Sequence, residues 1–151
     1  MADGASSLRE RALRLLAQRD HARAELARKL GGHGTHDEVD AVIDRMAELG
    51  LQSDARFAEA WVRTKSARHG AARIRRDLAQ RGVARELIDA ALASECGEEE
   101  IDRARAVWAR KFGHPPGDHR EWARQARFLQ GRGFSGDVIA RLLKEVPDES
   151  A

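Results

Sequence analysis

A stretch of this chain repeats itself at a fixed distance of 51 residues. Gln80-Arg81-Gly82-Val83-Ala84-Arg85-Glu86-Leu87-Ile88-Asp89-Ala90-Ala91-Leu92 realigns on Gly131-Arg132-Gly133-Phe134-Ser135-Gly136-Asp137-Val138-Ile139-Ala140-Arg141-Leu142-Leu143. Arg, Gly, Ile and Leu recur identically, and the other apolar positions recur as apolar. Upstream, Arg73, Arg76 and Leu78 match Arg124, Arg127 and Leu129. A weaker copy lies near the start, where Leu26 and Leu30 stand 48 residues before Ile74 and Leu78. A unit of this size buries its apolar face by stacking on neighbours, so the repeat dictates a tandem array. Three units follow, over residues 7–51, 53–94 and 98–146.

Each unit reads as three helices. In the first, Ser7-x-x-Glu10 has the form of a capping box opening a helix to Gln18. Asp20 is placed to cap a helix carrying Leu26 and Leu30, and Thr35-x-x-Glu38 a third with Val39, Val42, Ile43 and Met46 on one face. In the second, Ser53 precedes a helix expected to bury Phe57, Trp61 and Thr64. Helices over 71–81 and 84–93 follow. In the third, helices are expected over 98–112, after an Asp118-x-x-Glu121 cap, and from Ser135 to a stop before Pro147. Gly50-Leu51, Gly82-Val83 and Gly133-Phe134 read as left-handed helix ends whose apolar residue folds back. Composition agrees: 27 Ala and 23 Arg make up a third of 151 positions, with no Tyr and two Thr, so helix formers abound and strand formers are scarce. The expected fold is all-α, an elongated array of about nine helices suited to lying along an extended partner.

Little points to catalysis, cofactor or metal. No apolar run reaches the ~18–20 residues that span a bilayer, and Met1 to Ser7 lack a signal-peptide core, so a cytoplasmic location is expected. Cys96 is the single cysteine. His33 and His36, and His114 and His119, sit in Gly- or Pro-rich loops without a helical zinc spacing. Trp61, Trp108 and Trp122 fall at core spacing and read as buried anchors. A non-enzymatic protein with no cofactor and no metal is expected.

Charge is unevenly spread. The net is +2, yet residues 53–94 carry 9 bases and 5 acids while the flanking segments are each near −1. From Trp61 to Arg76 there is no acid at all. Arg56, Arg63, Lys65, Arg68, Arg73, Arg75, Arg76 and Arg81 are the candidate partner- or DNA-binding patch. At 100° per residue, Arg73, Arg76 and Gln80 wind opposite Ile74 and Leu78, and Arg56, Glu59 and Arg63 opposite Phe57 and Trp61. A helix-turn-helix DNA-binding protein is the alternative, because three helices with Gly in the turn give its outline. Its reading helices would carry Glu86 and Asp89, or Asp37, Glu38, Asp40 and Asp44, which repel phosphate.

Leu13-Arg14-Leu15-Leu16-Ala17-Gln18-Arg19-Asp20-His21-Ala22-Arg23-Ala24-Glu25-Leu26-Ala27-Arg28-Lys29-Leu30 resembles the opening of the RecX family of recombinase regulators. So do Gly50 to Arg63, Gly70-Ala71-Ala72-Arg73-Ile74-Arg75-Arg76-Asp77-Leu78 with Gln80-Arg81-Gly82-Val83, and Arg127-Phe128-Leu129-Gln130-Gly131-Arg132-Gly133-Phe134-Ser135. The likeness covers about residues 8–146. It departs at Ala71, where the family often has Pro. The resemblance implies an array of three-helix units and a partner, RecA, with its filament on single-stranded DNA. It also implies an inhibitory role toward recombinase, ATPase and co-protease activities, tuning recombinational repair and the SOS response. Weak direct DNA binding is compatible with it.

Overall fold

The computed structural model describes residues 2–95 and 99–145, with side chains from Ser7 onward. Among the described residues there are nine α-helices and no strand: α1 (Ala2–Gln18), α2 (Arg23–Leu30), α3 (His36–Glu48), α4 (Asp54–Lys65), α5 (Ala71–Gln80), α6 (Arg85–Glu95), α7 (Glu100–Lys111), α8 (His119–Gly131) and α9 (Gly136–Glu145). Cys96, Glu98 and Pro147, which entered the sequence reading, lie outside the described residues. The chain divides into two compact units. One takes the residues up to Ala60 with Leu78–Ala91, the other Trp61–Asp77 with those from Leu92 on. Residues of α4, α5 and α6 fall in both.

In the first unit α1, α2 and α3 each pack on the other two. Leu8, Ala12, Leu26, Leu30, Val39, Ile43 and Met46 form the core, with Leu15, Leu16, Ala27 and Val42 at its margin. Leu8, Leu26 and Leu30 are fully buried, each contributing roughly 1.5–3 kcal/mol. Thr35 and Glu38 form the expected capping box: Glu38 N–H donates to Thr35 Oγ1 at 3.2 Å and Thr35 N–H to Glu38 Oε1 at 2.9 Å. Two other expected caps are corrected. Ser7 lies inside α1, which starts at Ala2, so its hydroxyl is not at a helix end. Asp20 is too far ahead of α2, whose N-cap is Ala22 without a side-chain bond. Instead, Arg23 N–H donates to Asp54 Oδ1 at 2.7 Å, so the first turn of α2 is capped from 31 residues away.

In the second unit α7, α8 and α9 likewise pack pairwise around Ile101, Ala104, Val107, Trp108, Leu129, Phe134, Ile139, Leu142 and Leu143. Asp118 Oδ1 accepts from Glu121 N–H at 2.8 Å and Ser135 Oγ from Val138 N–H at 3.2 Å, as expected. Gln125 is fully buried at the register where the previous repeat has Ile74. Its Oε1 accepts from Trp108 Nε1 at 2.8 Å, and its Nε2 donates to the His114 carbonyl at 3.2 Å and to Glu121 Oε1 at 3.3 Å. A buried polar side chain is thereby satisfied at both ends. Of the three tryptophans expected inside, Trp108 is buried, Trp61 is half-buried and Trp122 is 42% exposed.

The helix ends carry the repeat's chemistry. Gly50, Gly82 and Gly133 have φ of +75°, +82° and +93°. Leu51, Val83 and Phe134 N–H groups each donate five residues back, to Met46, Leu78 and Leu129, the hydrogen bonding of a Schellman end. Val83 and Phe134 are buried as expected, whereas Leu51 is 40% exposed. Gly113, with φ +72°, is a fourth such position, and no apolar residue after it signals the end. On α4 the expected Phe57, Trp61, Thr64 stripe is rotated: Phe57, Ala58 and Val62 are buried and Thr64 is exposed. Ala58 and Val62 lie on the opposite side of Phe57 from Thr64 in a 100° winding.

Candidate functional site

The eight basic residues singled out in the sequence do different things. Arg56 and Arg81 belong to the first unit, the other six to the second. Arg56 ties structure together: Nε pairs with Asp20 Oδ1 at 3.2 Å, while Nη1 and Nη2 donate to the Gly50 and Leu51 carbonyls at 3.0 and 3.1 Å. These carbonyls lie just beyond the end of α3, so the guanidinium pins the turn that follows the helix. Arg81 is half-buried.

Within the second unit, Arg63 pairs with Glu95 at 3.0 Å, and Lys65 Nζ lies 5.0 Å from the centroid of the Trp61 ring. Arg73 is structural as well. Its Nη1 donates to the Gly131 carbonyl at 3.3 Å, its Nε lies 3.9 Å from Asp77, and its backbone lies where a Cβ on Gly133 would project. Arg68, Arg75 and Arg76 are exposed. Arg76 lies on the outer side of α5, opposite the fully buried Ile74 and in agreement with the helical winding, and Arg75 flanks the buried stripe.

His69 sits among these cations. It is buried, and its Nδ1 has no hydrogen-bond partner among the described residues. Burial, then the charges of Arg73 and Arg132, lower its pKa below the ordinary histidine value; Asp77 opposes the shift and Lys65 adds to it. The imidazole therefore registers a positive local field. Arg103 is also buried, and its Nη2 donates to the His69 carbonyl at 3.5 Å.

The sequence reading missed a second set of cations. A groove of about 620 Å³ in the second unit is lined by Arg68, Arg110, Lys111 and Arg132, with Val107 and Phe128. Lys111 Nζ and Arg132 Cζ lie 5.3 and 5.1 Å from the Phe128 ring centroid, within the range of cation–π attraction. Arg110 Nη2 donates to the Ala67 carbonyl at 2.6 Å. Among the described residues no carboxylate lines this groove or pairs with Arg68, Lys111 or Arg132. Only Arg68 was in the expected patch. The sequence signal was the Arg110-Lys111 pair in the last turn of α7, hidden because the 11 acids of residues 95–151 outnumber their 10 bases in a net count.

His33 and His114 lie in loops as expected, whereas His36 and His119 are the first residues of α3 and α8. His33, His36, His114 and His119 are exposed, and His36 pairs with Asp40 at 3.3 Å. No group of three potential metal ligands occurs among the described residues. No helix among them is long and apolar enough to cross a membrane.

The comparisons with known proteins agree on one family. The chain matches the models of RecX's first three-helix domain over residues 9–46, its second over 53–92 and its third over 98–143. It is 46% identical over 139 residues to the regulatory protein RecX of Leptothrix cholodnii, covering 91% of this chain and 88% of the relative. It is 48% identical over 143 residues to the regulatory protein RecX of Pseudomonas putida F1, covering 91% and 89%. In fold it matches a crystal structure of RecX from Lactobacillus salivarius with a TM-score of 0.82 at 24% identity, covering 96% of this chain and 97% of that one.

Proposed function

The chain belongs to the RecX family, and from that premise we propose that it binds RecA and the RecA filament on single-stranded DNA and restrains their activity. The activities restrained are the recombinase, the ATPase and the co-protease, so the protein tunes recombinational repair and the SOS response in the cytoplasm. It performs no chemistry of its own in this reading and acts by occupancy. The observation that carries the proposal is the ordered match to all three RecX domains, with relatives named regulatory proteins over nine-tenths of the chain. The exposed guanidinium groups of Arg75 and Arg76 supply the physical means, since planar guanidinium groups engage phosphates and carboxylates in bidentate fashion.

The test is the DNA-dependent ATPase of RecA on single-stranded DNA, titrated with purified protein. Turnover should fall as the protein approaches RecA in concentration, and the doubly charge-reversed variant Arg75→Glu/Arg76→Glu should lose most of that effect with its helical circular dichroism intact. Arg73 is excluded from the reversal because it supports the Gly133 turn. The matched control is Arg9→Glu/Arg120→Glu, two exposed positions on α1 and α8. Unchanged RecA turnover at stoichiometric excess would refute the function. Equal loss in both variants would refute the assignment to α5.

A further inference from the structure

We propose that the groove around Phe128 is a binding site for the phosphodiester chain of single-stranded nucleic acid, with Arg68, Arg110, Lys111 and Arg132 on the phosphates and the apolar strip against the bases. This deepens the reading above by assigning a direct nucleic-acid contact, and it stands or falls separately from RecA inhibition.

Four observations converge. First, four cations line one groove of about 620 Å³ with no acid on its walls. Like charges held together repel, so such a cluster gains most from an anion that runs past all of them. Second, the cations are held in place. Lys111 and Arg132 rest against the Phe128 ring, and Arg110 is anchored on the Ala67 carbonyl. Side chains already ordered lose less entropy on binding. Third, Gly70 N–H donates to the Arg132 carbonyl at 2.8 Å, fixing the loop that carries Arg68 against the residue that carries Arg132. His69, between them, has its pKa pulled down by burial first and then by Arg73, Arg132 and Lys65, against the opposing Asp77. Fourth, the walls are amphipathic. Val107 and Phe128 interrupt the cations, and Phe112 supports Phe128 edge-on at 5.4 Å between centroids.

That alternation decides among polyanions. A single strand presents phosphates alternating with unstacked bases, which pairs a cationic track with aromatic surface. A duplex offers the phosphates but keeps its base faces stacked, so Phe128 and Val107 would gain nothing. An acidic peptide offers carboxylates without a stacking face.

The experiment is fluorescence anisotropy of a labelled oligothymidylate with the full chain and no RecA, repeated over a salt series. Duplex of the same length and polyglutamate serve as competitors. Lys111→Glu/Arg132→Glu should weaken binding at least tenfold, and the log–log salt slope should flatten by roughly 1.4, two contacts at about 0.7 each for single strands. The neutral Lys111→Gln/Arg132→Gln variant should flatten the slope equally, which guards against a folding defect. Phe128→Leu should weaken binding while leaving the slope unchanged. Arg9→Glu/Arg120→Glu should bind as the parent does.

An unaltered slope in both groove variants would overturn the proposal, as would duplex or polyglutamate competing as well as single strand. Loss of oligonucleotide binding in the groove variants with RecA inhibition absent from the parent leaves the groove standing and removes the regulatory reading. Inhibition of RecA by a parent that binds no oligonucleotide does the reverse.

Discussion

Replacing Gly133 by Ala tests the packing on which the second unit depends. Gly50, Gly82 and Gly133 share a positive φ, so an Ala at each meets the same left-handed penalty, about 1–2 kcal/mol. They differ in what the new methyl meets. At Gly50 there is nothing within 4 Å, so the conformational penalty is the whole effect. At Gly82 the methyl would stand 2.6 Å from Ala24 Cβ on α2, a contact that a small helix shift relieves in part. At Gly133 it would run into Arg73 Cβ, with Arg73 N at 2.6 Å and Cα at 2.9 Å. Backbone has no rotamer to yield, so α5 must move away, straining the Gly70–Arg132 and Arg73–Gly131 hydrogen bonds. Overpacking of this kind adds about 1–3 kcal/mol, giving roughly 2–5 kcal/mol in all for Gly133→Ala. For a chain of this length each kcal/mol is worth about 2–4 °C in Tm. All three tryptophans lie in the second unit, so their fluorescence in urea follows Gly133→Ala there, while far-ultraviolet circular dichroism follows Gly50→Ala and Gly82→Ala. The expected order of loss is Gly50, then Gly82, then Gly133. A Gly133→Ala protein no less stable than Gly50→Ala would refute the close approach of α5 to this turn.

Two further perturbations probe contacts outside the glycine turns. Asp54→Ala leaves the Arg23 N–H and Gln52 Nε2 without their shared acceptor and should cost about 1–2 kcal/mol in urea unfolding, with Asp54→Asn recovering part of it; no loss in the alanine variant would remove the long-range cap. Stability should also fall as pH drops below the ordinary histidine value of 6.5. Burial, then the Arg19 and Lys29 charges, lowers the His21 pKa against an opposing backbone hydrogen bond, and His69 is lowered too. The neutral forms favour the fold, so this contribution is complete above the unfolded pKa and is lost downward through the folded ones. Glu25, held below its usual 4.5 by Arg19, adds a separate loss at lower pH. Thermal melts from pH 7.5 to 5 should show Tm decreasing, and His21→Gln and His69→Gln should each flatten the profile; a slope unchanged in both would assign it elsewhere.

The parts of this molecule legible in its sequence are those decided within one or two helical turns. Thr35-x-x-Glu38 and Asp118-x-x-Glu121 act as caps because donor and acceptor are three residues apart, and Gly82 and Gly133 end helices because a left-handed backbone suits glycine there. Leu78 and Leu129 are buried because a 3.6-residue period puts them on the inner face. What escaped depends on residues far apart in the chain. The cap of α2 comes from Asp54, and Asp20 was misread because its real partner is Arg56, 36 residues on. Charge shows the same division. An excess of bases over acids across residues 53–94 made Arg56 to Arg81 conspicuous, yet the fold gives Arg56 and Arg73 to helix ends and turns. Meanwhile the third repeat, with 10 bases against 11 acids over 95–151, gathers Arg110, Lys111 and Arg132 beside Arg68. The reason lies in the helix dipole: acids favour first turns and bases last turns, as in α7, with Glu100 and Asp102 at one end and Arg110 and Lys111 at the other. A near-zero sum over residues 95–151 therefore conceals a helix with an acidic first turn and a basic last turn. When the basic end of α7 meets Arg132 just past α8, at a shared phenyl ring, a segment with no net positive charge produces a cationic groove.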